Sequence, residues 1–388
     1  MTVDEIPLST HEEVEHHIEN DNTDGLMNSL SKTVDESLQG KTVNGGIHTP
    51  SAPKHWYQRK LLRGWLHTHL FPENIKTAIE KRYGNFVVLR ETGEYHYEEM
   101  PIYTRIGMHL LFVGHYRQKM VDSHLMHKLF LHESRRQGTF FIDPISVKQI
   151  EPFIDHYNID MSQYCIQDIN AYTNFNEFFT RAIKPEARPI ADAENPDVLI
   201  SAADCRLNVF HTVDAAAEFW IKGKEFNLPN LLQDEALAAE LDGGSLAIFR
   251  LAPQDYHRWH SLTRGTIESI KDIQGTYFTV NPCTINENLN VFTENRRMVM
   301  TLKSHKGFRY AVVPIGALLV GSIVLTHANE VGNDLEKGEE MGYFQYGGST
   351  VIAVFPKDVV AWDKDLLQNS ENSVETKVNM GERIGVFQ

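Results

Sequence analysis

The spacing of apolar residues divides the chain into two regions. Between residues 54 and 170, apolar side chains recur every three or four positions, as in "WYQRKLLRGWLHTHLF" and "PIYTRIGMHLLFVGHYRQKM", which is the spacing of amphipathic helices. From residue 171 to residue 388 the pattern changes to short β-branched runs separated by Gly, Asn and Asp, such as "SAADCRLNVF". The sequence therefore predicts an α+β fold, in which a helical N-terminal region packs on a mostly antiparallel β domain.

The most apolar run of the chain extends from Val312 to Thr326. A spanning helix needs roughly 20 apolar residues, and this run is shorter. It also contains Pro314, Gly316 and Gly321 and is rich in Val and Ile, which favour strands. We predict two buried strands here and no membrane span.

The segment "YFQYGGSTVIAVFP", residues 343–356, resembles a buried strand but contains two glycines and two hydroxyl residues. Glycine inside a strand costs stability, and it often marks a bend or a close approach to the backbone. Just before this segment, turn residues at 332–334 and 337–338 predict a hairpin. Ser349 is therefore expected at the end of a tight β structure.

Charge and composition exclude several classes of protein. The chain has 37 Lys and Arg against 52 Asp and Glu, a net charge of -15, which is the wrong sign for a protein that binds nucleic-acid phosphates. Residues 1–53 are acidic and poor in aromatics, so they predict a disordered tail. The 41% of hydrophobic residues suffices for a substantial core elsewhere.

Signals of export are not visible in the sequence. Only three cysteines occur, without a CxxC pair, and the N-terminus shows neither an apolar signal-peptide core nor an Arg-rich transit peptide. We expect an intracellular protein, cytosolic or peripheral on endomembranes.

Three residue types with complementary chemistry stand in the predicted β domain. Ser349 follows two glycines, His257 and His260 lie in "RLAPQDYHRWHS", and Asp204 lies in "SAADCRLNVF". Together they could act as nucleophile, base and orienting carboxylate, although each alone is typical of a structural residue. A conventional serine hydrolase is the weaker interpretation because a G-x-S-x-G elbow is missing, and a non-catalytic binding protein would be favoured only if this set were broken.

A metal site is not predicted. His124, His127 and His132 lie close together in "HLMHKLFLH". Zinc needs at least three protein ligands, and no acidic third ligand for the helix face shared by the first two histidines is evident in this segment.

Several sequence blocks in the same order resemble the phosphatidylserine decarboxylase family, most closely its eukaryotic endomembrane-type branch. The resemblance covers roughly residues 100–388, and its blocks are "FFTRAIKPEARPI", "AADCR", "RLAPQDYHRWHS", "YFTVNPCTINENLNVFTENRR", "PIGALLVGSI" and "YFQYGGST". The family converts phosphatidylserine to phosphatidylethanolamine and releases carbon dioxide. This resemblance implies a phospholipid substrate.

The same resemblance assigns roles to single residues. It implies that Asp204, His260 and Ser349 act in self-cleavage between Gly348 and Ser349, after which Ser349 becomes a covalent pyruvoyl cofactor. The pyruvoyl group then serves as the electron sink of decarboxylation, with His257 acting in this second reaction. The cleaved C-terminal piece would stay as a partner of the longer piece.

Two departures from the common family pattern bear on the substrate. Trp259 and Leu262 replace the usual Phe and Pro beside the histidines. Because a few relatives with this local pattern act on free aromatic amino acids, a soluble decarboxylase of an amino acid such as tryptophan is the alternative.

A lipid substrate would also require contact with a membrane. Residues 56–70 combine Trp56, Trp65 and leucines with Arg59, Lys60 and Arg63, a mixture typical of an interfacial helix. Most amphipathic helices simply cover a core, so the pattern is compatible with two roles, core packing and peripheral membrane contact.

Overall fold

A set of short strands dominates the structure, a computed structural model that describes residues 84–99, 138–219, 226–275, 291–316, 322–347, 349–372 and 374–388. In chain order the strands are β1 (Gly84–Leu89), β2 (Tyr95–Glu99), β3 (Val198–Ile200), β4 (Cys205–Phe210), β5 (Ser245–Leu251), β6 (Arg258–His260), β7 (Gly265–Ile273), β8 (Arg297–Ser304), β9 (Arg309–Gly316), β10 (Ile323–Leu325), β11 (Asp334–Leu335), β12 (Glu340–Phe344), β13 (Ser349–Phe355), β14 (Val360–Trp362), β15 (Glu375–Val378) and β16 (Arg383–Phe387).

Ten of these strands form one sheet in the order β11-β7-β8-β9-β13-β5-β4-β15-β1-β2. Neighbouring strands are antiparallel except for β1 and β15, which are parallel. Two three-stranded sheets, β10-β12-β6 and β14-β16-β3, accompany it. Strand β13 therefore lies in the interior of the large sheet, paired on both sides.

Helices connect the strands and cover the sheet. The α-helices are α1 (Ile150–Tyr157), α2 (Phe175–Phe179), α3 (Val213–Phe219), α4 (Leu228–Leu232), α5 (Glu235–Glu240), α6 (Val291–Glu294) and α7 (Lys364–Glu371). Short 3₁₀ helices occupy Pro144–Gln149, Met161–Gln163, Ile169–Ala171 and Pro185–Ala187, and residues 138–142 are also helical.

The central strands of the large sheet, among them β13, are buried on both faces, which explains their near-continuous apolar runs. Side chains alternate between the two faces of a strand. In β13, Val351, Ala353 and Phe355 pack in one apolar cluster, whereas Ile352 and Val354 pack in another. A strand between two cores is therefore apolar at nearly every position.

Helix α2 is short, and its N-terminus is stabilised by side chains. The Asn174 side chain accepts a hydrogen bond from the Glu177 N–H at 2.9 Å, and the Glu177 carboxylate accepts one from the Thr173 N–H at 2.7 Å. These bonds satisfy backbone donors at the start of the helix, and the hydrogen bonds from Thr173 lower the pKa of Glu177. The helix presents Phe178 and Phe179, both fully buried, to the interior.

The predicted mixture of helices and antiparallel strands is present. The predicted region 54–170 contains helices 138–142 and α1, but also the antiparallel pair β1 and β2, where the β-branched Val87 and Val88 favour a strand. The tail at residues 1–53, the interfacial segment at 56–70 and the histidines at 124–132 lie outside the described residues.

The prediction for residues 312–326 is confirmed in the part that is described, where β9 and β10 form strands. Among the helices of the described ranges, none has the length and apolar character needed to cross a membrane.

The predicted hairpin before Ser349 is wrong in its pairing. Gly332 and Gly338 do adopt positive φ angles, 92° and 79°, as expected of turns. Strand β11 pairs with β7 in the large sheet, whereas β12 pairs with β6 and β10 in a small one. The two turns therefore transfer the chain from one sheet to another.

Candidate active site

Ser349 begins β13 and is fully buried. Its backbone pairs with Leu251 of β5 on one side and with Gly316 of β9 on the other. The hydroxyl donates a hydrogen bond to the Gly347 carbonyl oxygen at 3.3 Å. Gly347 has a φ of 145°, which residues with a side chain rarely adopt. Gly348, the expected partner in cleavage, lies outside the described residues.

His260 is the last residue of β6 and is held at both ring nitrogens. Nδ1 lies 2.9 Å from the Gly338 carbonyl oxygen and Nε2 lies 3.2 Å from the Tyr256 hydroxyl. Since a carbonyl oxygen only accepts hydrogen bonds, Nδ1 carries the proton and Nε2 presents its lone pair. Burial lowers the pKa of His260, and the Gly338 bond offsets part of this effect. The ring is therefore a neutral base at physiological pH.

Asp204 is buried beside this histidine but is bound to other groups. Its oxygens accept hydrogen bonds from Arg188 at 2.8 and 2.6 Å, and from the Met380 N–H at 2.8 Å. The His260 N–H donates to the Ala202 carbonyl at 2.8 Å, which brings β6 alongside the loop that carries Asp204. The negative charge of Asp204 acts to raise the pKa of His260, although the hydrogen bonds of the imidazole go to Gly338 and Tyr256.

His257 has one free ring nitrogen. It is fully buried, Nδ1 donates to the Asp255 carbonyl oxygen at 2.8 Å, and the Phe179 ring lies 3.9 Å away between centroids. Nε2 has no hydrogen-bond partner among the described residues. Burial lowers the pKa of His257 to about 3. A buried polar atom without a partner is rare in proteins, and it indicates a place for a reacting group.

Three groups at the site were missing from the sequence prediction. Arg188 binds Asp204, the Tyr256 hydroxyl contacts Nε2 of His260, and the Gly338 carbonyl holds its Nδ1. Arg188 and Tyr256 stand within the blocks "FFTRAIKPEARPI" and "RLAPQDYHRWHS", which already carried the resemblance to the family. The role of a backbone carbonyl cannot be predicted from residue types, because every residue has one.

The structure removes the basis for relating Trp259 and Leu262 to the substrate. Both side chains are fully buried in the apolar cluster on one face of the large sheet. Trp259 packs on the Phe344 ring with 4.7 Å between centroids. A Cβ atom at Gly342 would come within 2.5 Å of the same indole. Trp259 precedes His260 in β6, so its side chain points to the opposite face of the strand. Leu262 lies beyond the end of β6 and packs in the same apolar cluster.

One buried polar atom fits the pyruvoyl group that would derive from Ser349. His257 Nε2 lacks a partner in the described part of the chain, and it can bond to a polar atom of a small carbonyl group or of its substrate. Thr350 Oγ1 also lacks a partner there, but its side chain points to the face of β13 opposite that of Ser349. No group of three or more potential metal ligands occurs among the described residues.

Ser349 is buried at the start of an interior strand of the large sheet, and His260 is a buried neutral histidine at the end of β6. Among the described residues, the serine hydroxyl bonds to the Gly347 carbonyl and not to an imidazole. A buried hydroxyl and a buried base of this kind define a class of protein with an enclosed nucleophile. Comparison with known proteins identifies the class. The family model described as phosphatidylserine decarboxylase matches residues 175–386, and the chain belongs to this family.

Individual relatives agree with this assignment. Phosphatidylserine decarboxylase proenzyme 3 of Schizosaccharomyces pombe is 42% identical over 296 residues, which are 76% of this chain and 30% of the relative. Proenzyme 2 of Oryza sativa subsp. japonica is 37% identical over 354 residues, 91% of this chain and 56% of the relative. The proenzyme of Clostridium perfringens is 42% identical over 252 residues, 65% of this chain and 84% of the relative. The chain spans about a third of the length of the fungal relatives.

Proposed function

We propose that this protein decarboxylates phosphatidylserine to phosphatidylethanolamine after cutting its own chain between Gly348 and Ser349. The observation that carries the proposal is the buried Ser349 hydroxyl at the start of β13, close to a glycine with a φ of 145°, in a family whose members are named as proenzymes. The relatives' names do not support the alternative of a free aromatic amino acid, and the burial of Trp259 leaves that alternative without a structural argument.

Self-cleavage requires a base for the serine proton. The Ser349 oxygen attacks the Gly348 carbonyl carbon, and the amide is exchanged for an ester as the C–N bond breaks. Loss of the Cα proton then eliminates the Gly348 carboxylate as a new C-terminus, and one water releases ammonia to leave the pyruvoyl group. His260 can take the serine proton at Nε2, a contribution of typically 10²- to 10⁴-fold. The Asp204 charge stabilises the imidazolium that results.

The second reaction needs a proton at the carbon that loses carbon dioxide. The pyruvoyl group supplies the electron sink. Because burial disfavours a protonated His257, this residue can relay a proton at Nε2, from the substrate amine to the carbon that loses carbon dioxide, without holding it. Phe179 covers the imidazole and excludes water, which favours the departure of carbon dioxide from an apolar surrounding.

We also propose that the protein meets its lipid substrate by peripheral membrane contact. The aromatic and basic residues at 56–70 support this role. The purified protein should float with phosphatidylserine liposomes, and Trp65→Glu should reduce the floated fraction because it would bring a charge to the interface. Flotation that is unchanged by the substitution would reject this segment as the contact.

The roles of the site residues can be tested by substitution. Ser349→Ala and His260→Ala should remain a single chain, whereas the wild type should yield a piece from residue 349 to residue 388 with a blocked N-terminus. His257→Ala should still be cut but should release little carbon dioxide from phosphatidylserine in mixed micelles. His305→Ala is the matched control, because His305 lies at the surface and pairs with Asp197 there.

Two results would contradict the proposal. A purified active enzyme with only the full-length mass would exclude self-cleavage. An uncut His257→Ala protein would show that the two histidines have been given the wrong roles.

A further inference from the structure

The ammonium group of Lys337 lies in a pocket of carbonyl oxygens. The side chain is buried, and Nζ donates to the backbone carbonyls of Asn195 at 2.8 Å, Ala191 at 3.0 Å and Asp192. The Val198 carbonyl lies at 3.4 Å. An ammonium has three protons, so the single loop of residues 191–198 satisfies all of its donors.

A buried cation needs such partners, since water no longer solvates it. Burial lowers the pKa of Lys337, and the negative charges of Asp192 and Glu194 oppose this effect. Four carbonyl oxygens converging on one nitrogen form a rigid contact between the turn before β12 and the loop before β3. The lysine therefore fixes the position of this turn.

The residue next to Lys337 is Gly338, whose carbonyl oxygen holds Nδ1 of His260 at 2.9 Å. The Gly338 N–H donates to the Ser261 carbonyl at 2.9 Å, and a Cβ atom here would lie 2.5 Å from Cδ1 of Ile190. The position of the carbonyl is thus determined by close packing on one side and by the Lys337 contacts on the other.

The segment that contacts Lys337 is also connected to Asp204. Arg188 stands at its beginning and binds the Asp204 carboxylate, and Ile190 packs against Gly338. The segment 188–198, which includes the loop 191–198, consequently contacts Asp204 through Arg188 and contacts the turn whose carbonyl holds His260. Movement of the Lys337 turn would disturb the geometry of both.

We propose that Lys337 is a positioning residue for self-cleavage: its ammonium fixes the Gly338 carbonyl that keeps the His260 proton on Nδ1 and the lone pair on Nε2. This inference rests on the proposed function of the site. Without the carbonyl in place, the His260 proton can move to Nε2, and the base that Ser349 needs is lost in that fraction of molecules. The other groups that act on His260 are Tyr256, Glu340, Asp204 and Arg258.

The first test measures the rate of cleavage. Wild type, Lys337→Met and Lys306→Met are made by cell-free synthesis, and the appearance of the C-terminal piece is followed between pH 5 and 8. Lys306 is the control because it binds the same loop through Asp197 at 3.1 Å but is more exposed. Lys337→Met should be cut about 10- to 100-fold more slowly, since a small misplacement of a reacting group costs about that much.

The pH dependence separates positioning from a general loss of structure. The Gly338 bond raises the pKa of His260, so loosening it should move the midpoint of the cleavage rate to lower pH. Partial unfolding alone would reduce the fraction of chains that is cut, and it would leave the pH midpoint of the cleavage rate unchanged. Lys337→Met that is cut within twofold of the wild-type rate, or more slowly at an unchanged midpoint, would overturn the inference.

A second readout does not depend on cleavage. In the uncut Ser349→Ala protein, ¹⁵N-histidine NMR should show His260 as the Nδ1-protonated tautomer, identified by the loss of its signals in His260→Gln. Addition of Lys337→Met should convert it to a mixture, and an unchanged tautomer would refute the role. If this variant fails to fold, Lys337→Arg replaces it and should give a smaller change in the same direction. A wild-type chain that is never cut would contradict the proposed function, while the tautomer would still decide the role of Lys337.

Discussion

The ion pair between Arg188 and Asp204 offers a quantitative test of how burial supports this site. The two side chains are only 11% and 6% exposed, and two hydrogen bonds of 2.8 and 2.6 Å join them. Arg188→Met keeps most of the side-chain volume but leaves the carboxylate buried, with the Met380 N–H as its remaining donor. We expect this substitution to be strongly destabilising.

The magnitude follows from the burial of the charge that is left behind. Removing one partner of a buried pair costs about 3–5 kcal/mol, a large part of the roughly 5–15 kcal/mol that stabilises a typical protein. The matched control is Arg264→Met. Arg264 also binds a carboxylate, that of Glu336 at 2.6 Å, but these side chains are 44% and 70% exposed. An exposed pair contributes about 0–1 kcal/mol, so distance is similar while burial differs.

The assay is urea unfolding in the Ser349→Ala background, where each protein stays one chain. The free energy of unfolding should fall at least about 2 kcal/mol further for Arg188→Met than for Arg264→Met. With Ser349 restored, Arg188→Met should also be cut more slowly than the control. Equal losses of stability for the two variants would refute the argument that burial determines the strength of the Arg188 contact.

Two further predictions concern stability in the same uncut background. Burial lowers the pKa of His257 to about 3. Below pH 6.5, this histidine therefore binds a proton in the unfolded chain but not in the folded chain. As the pH falls below 6.5, the free energy of unfolding should decrease by up to about 1.4 kcal/mol per pH unit because of this residue. His257→Phe should flatten that slope in urea titrations at pH 6.5 and 5.5, and an identical slope would contradict the assignment. Gly342→Ala should destabilise the protein by about 1–3 kcal/mol, because its Cβ would come within 2.4 Å of the Val324 carbonyl oxygen and 2.5 Å of Trp259. An unchanged melting temperature would contradict this prediction, since it would mean that the sheet moves aside without cost.

Much of the site could be predicted from residues close together in the sequence. Two glycines before Ser349, inside an otherwise apolar strand, indicated a special backbone, and Gly347 does adopt a φ of 145°. His257 and His260 stand three residues apart in the loop and strand before β7, so any fold that buries one brings the other near. These features depend on local conformation, and local conformation is what periodicity and glycine placement report.

The contacts that hold the site depend on residues far apart in the chain. Lys337 binds a loop about 140 residues earlier, and Met380 binds Asp204 across a separation of 176 residues. The predicted hairpin failed for the same reason: the turns at Gly332 and Gly338 are local, but the choice of partner strand is not. Nothing in a turn specifies which sheet the next strand joins.

The sequence by itself determined the mixed α+β class, the family and the strands around residues 312–326, and it supplied the candidate residues of the site. Apolar periodicity and residue chemistry suffice for these, because each is a property of a short segment. Only the tertiary structure decided which neighbours set the charge and the proton of each group. It placed Asp204 on Arg188, gave His260 a backbone carbonyl and left Nε2 of His257 without a partner in the described residues. Those outcomes follow from the packing of two apolar cores against one sheet, which excludes water from the site. Each buried polar group must then bond to another protein group, and here these groups belong to distant segments of the chain.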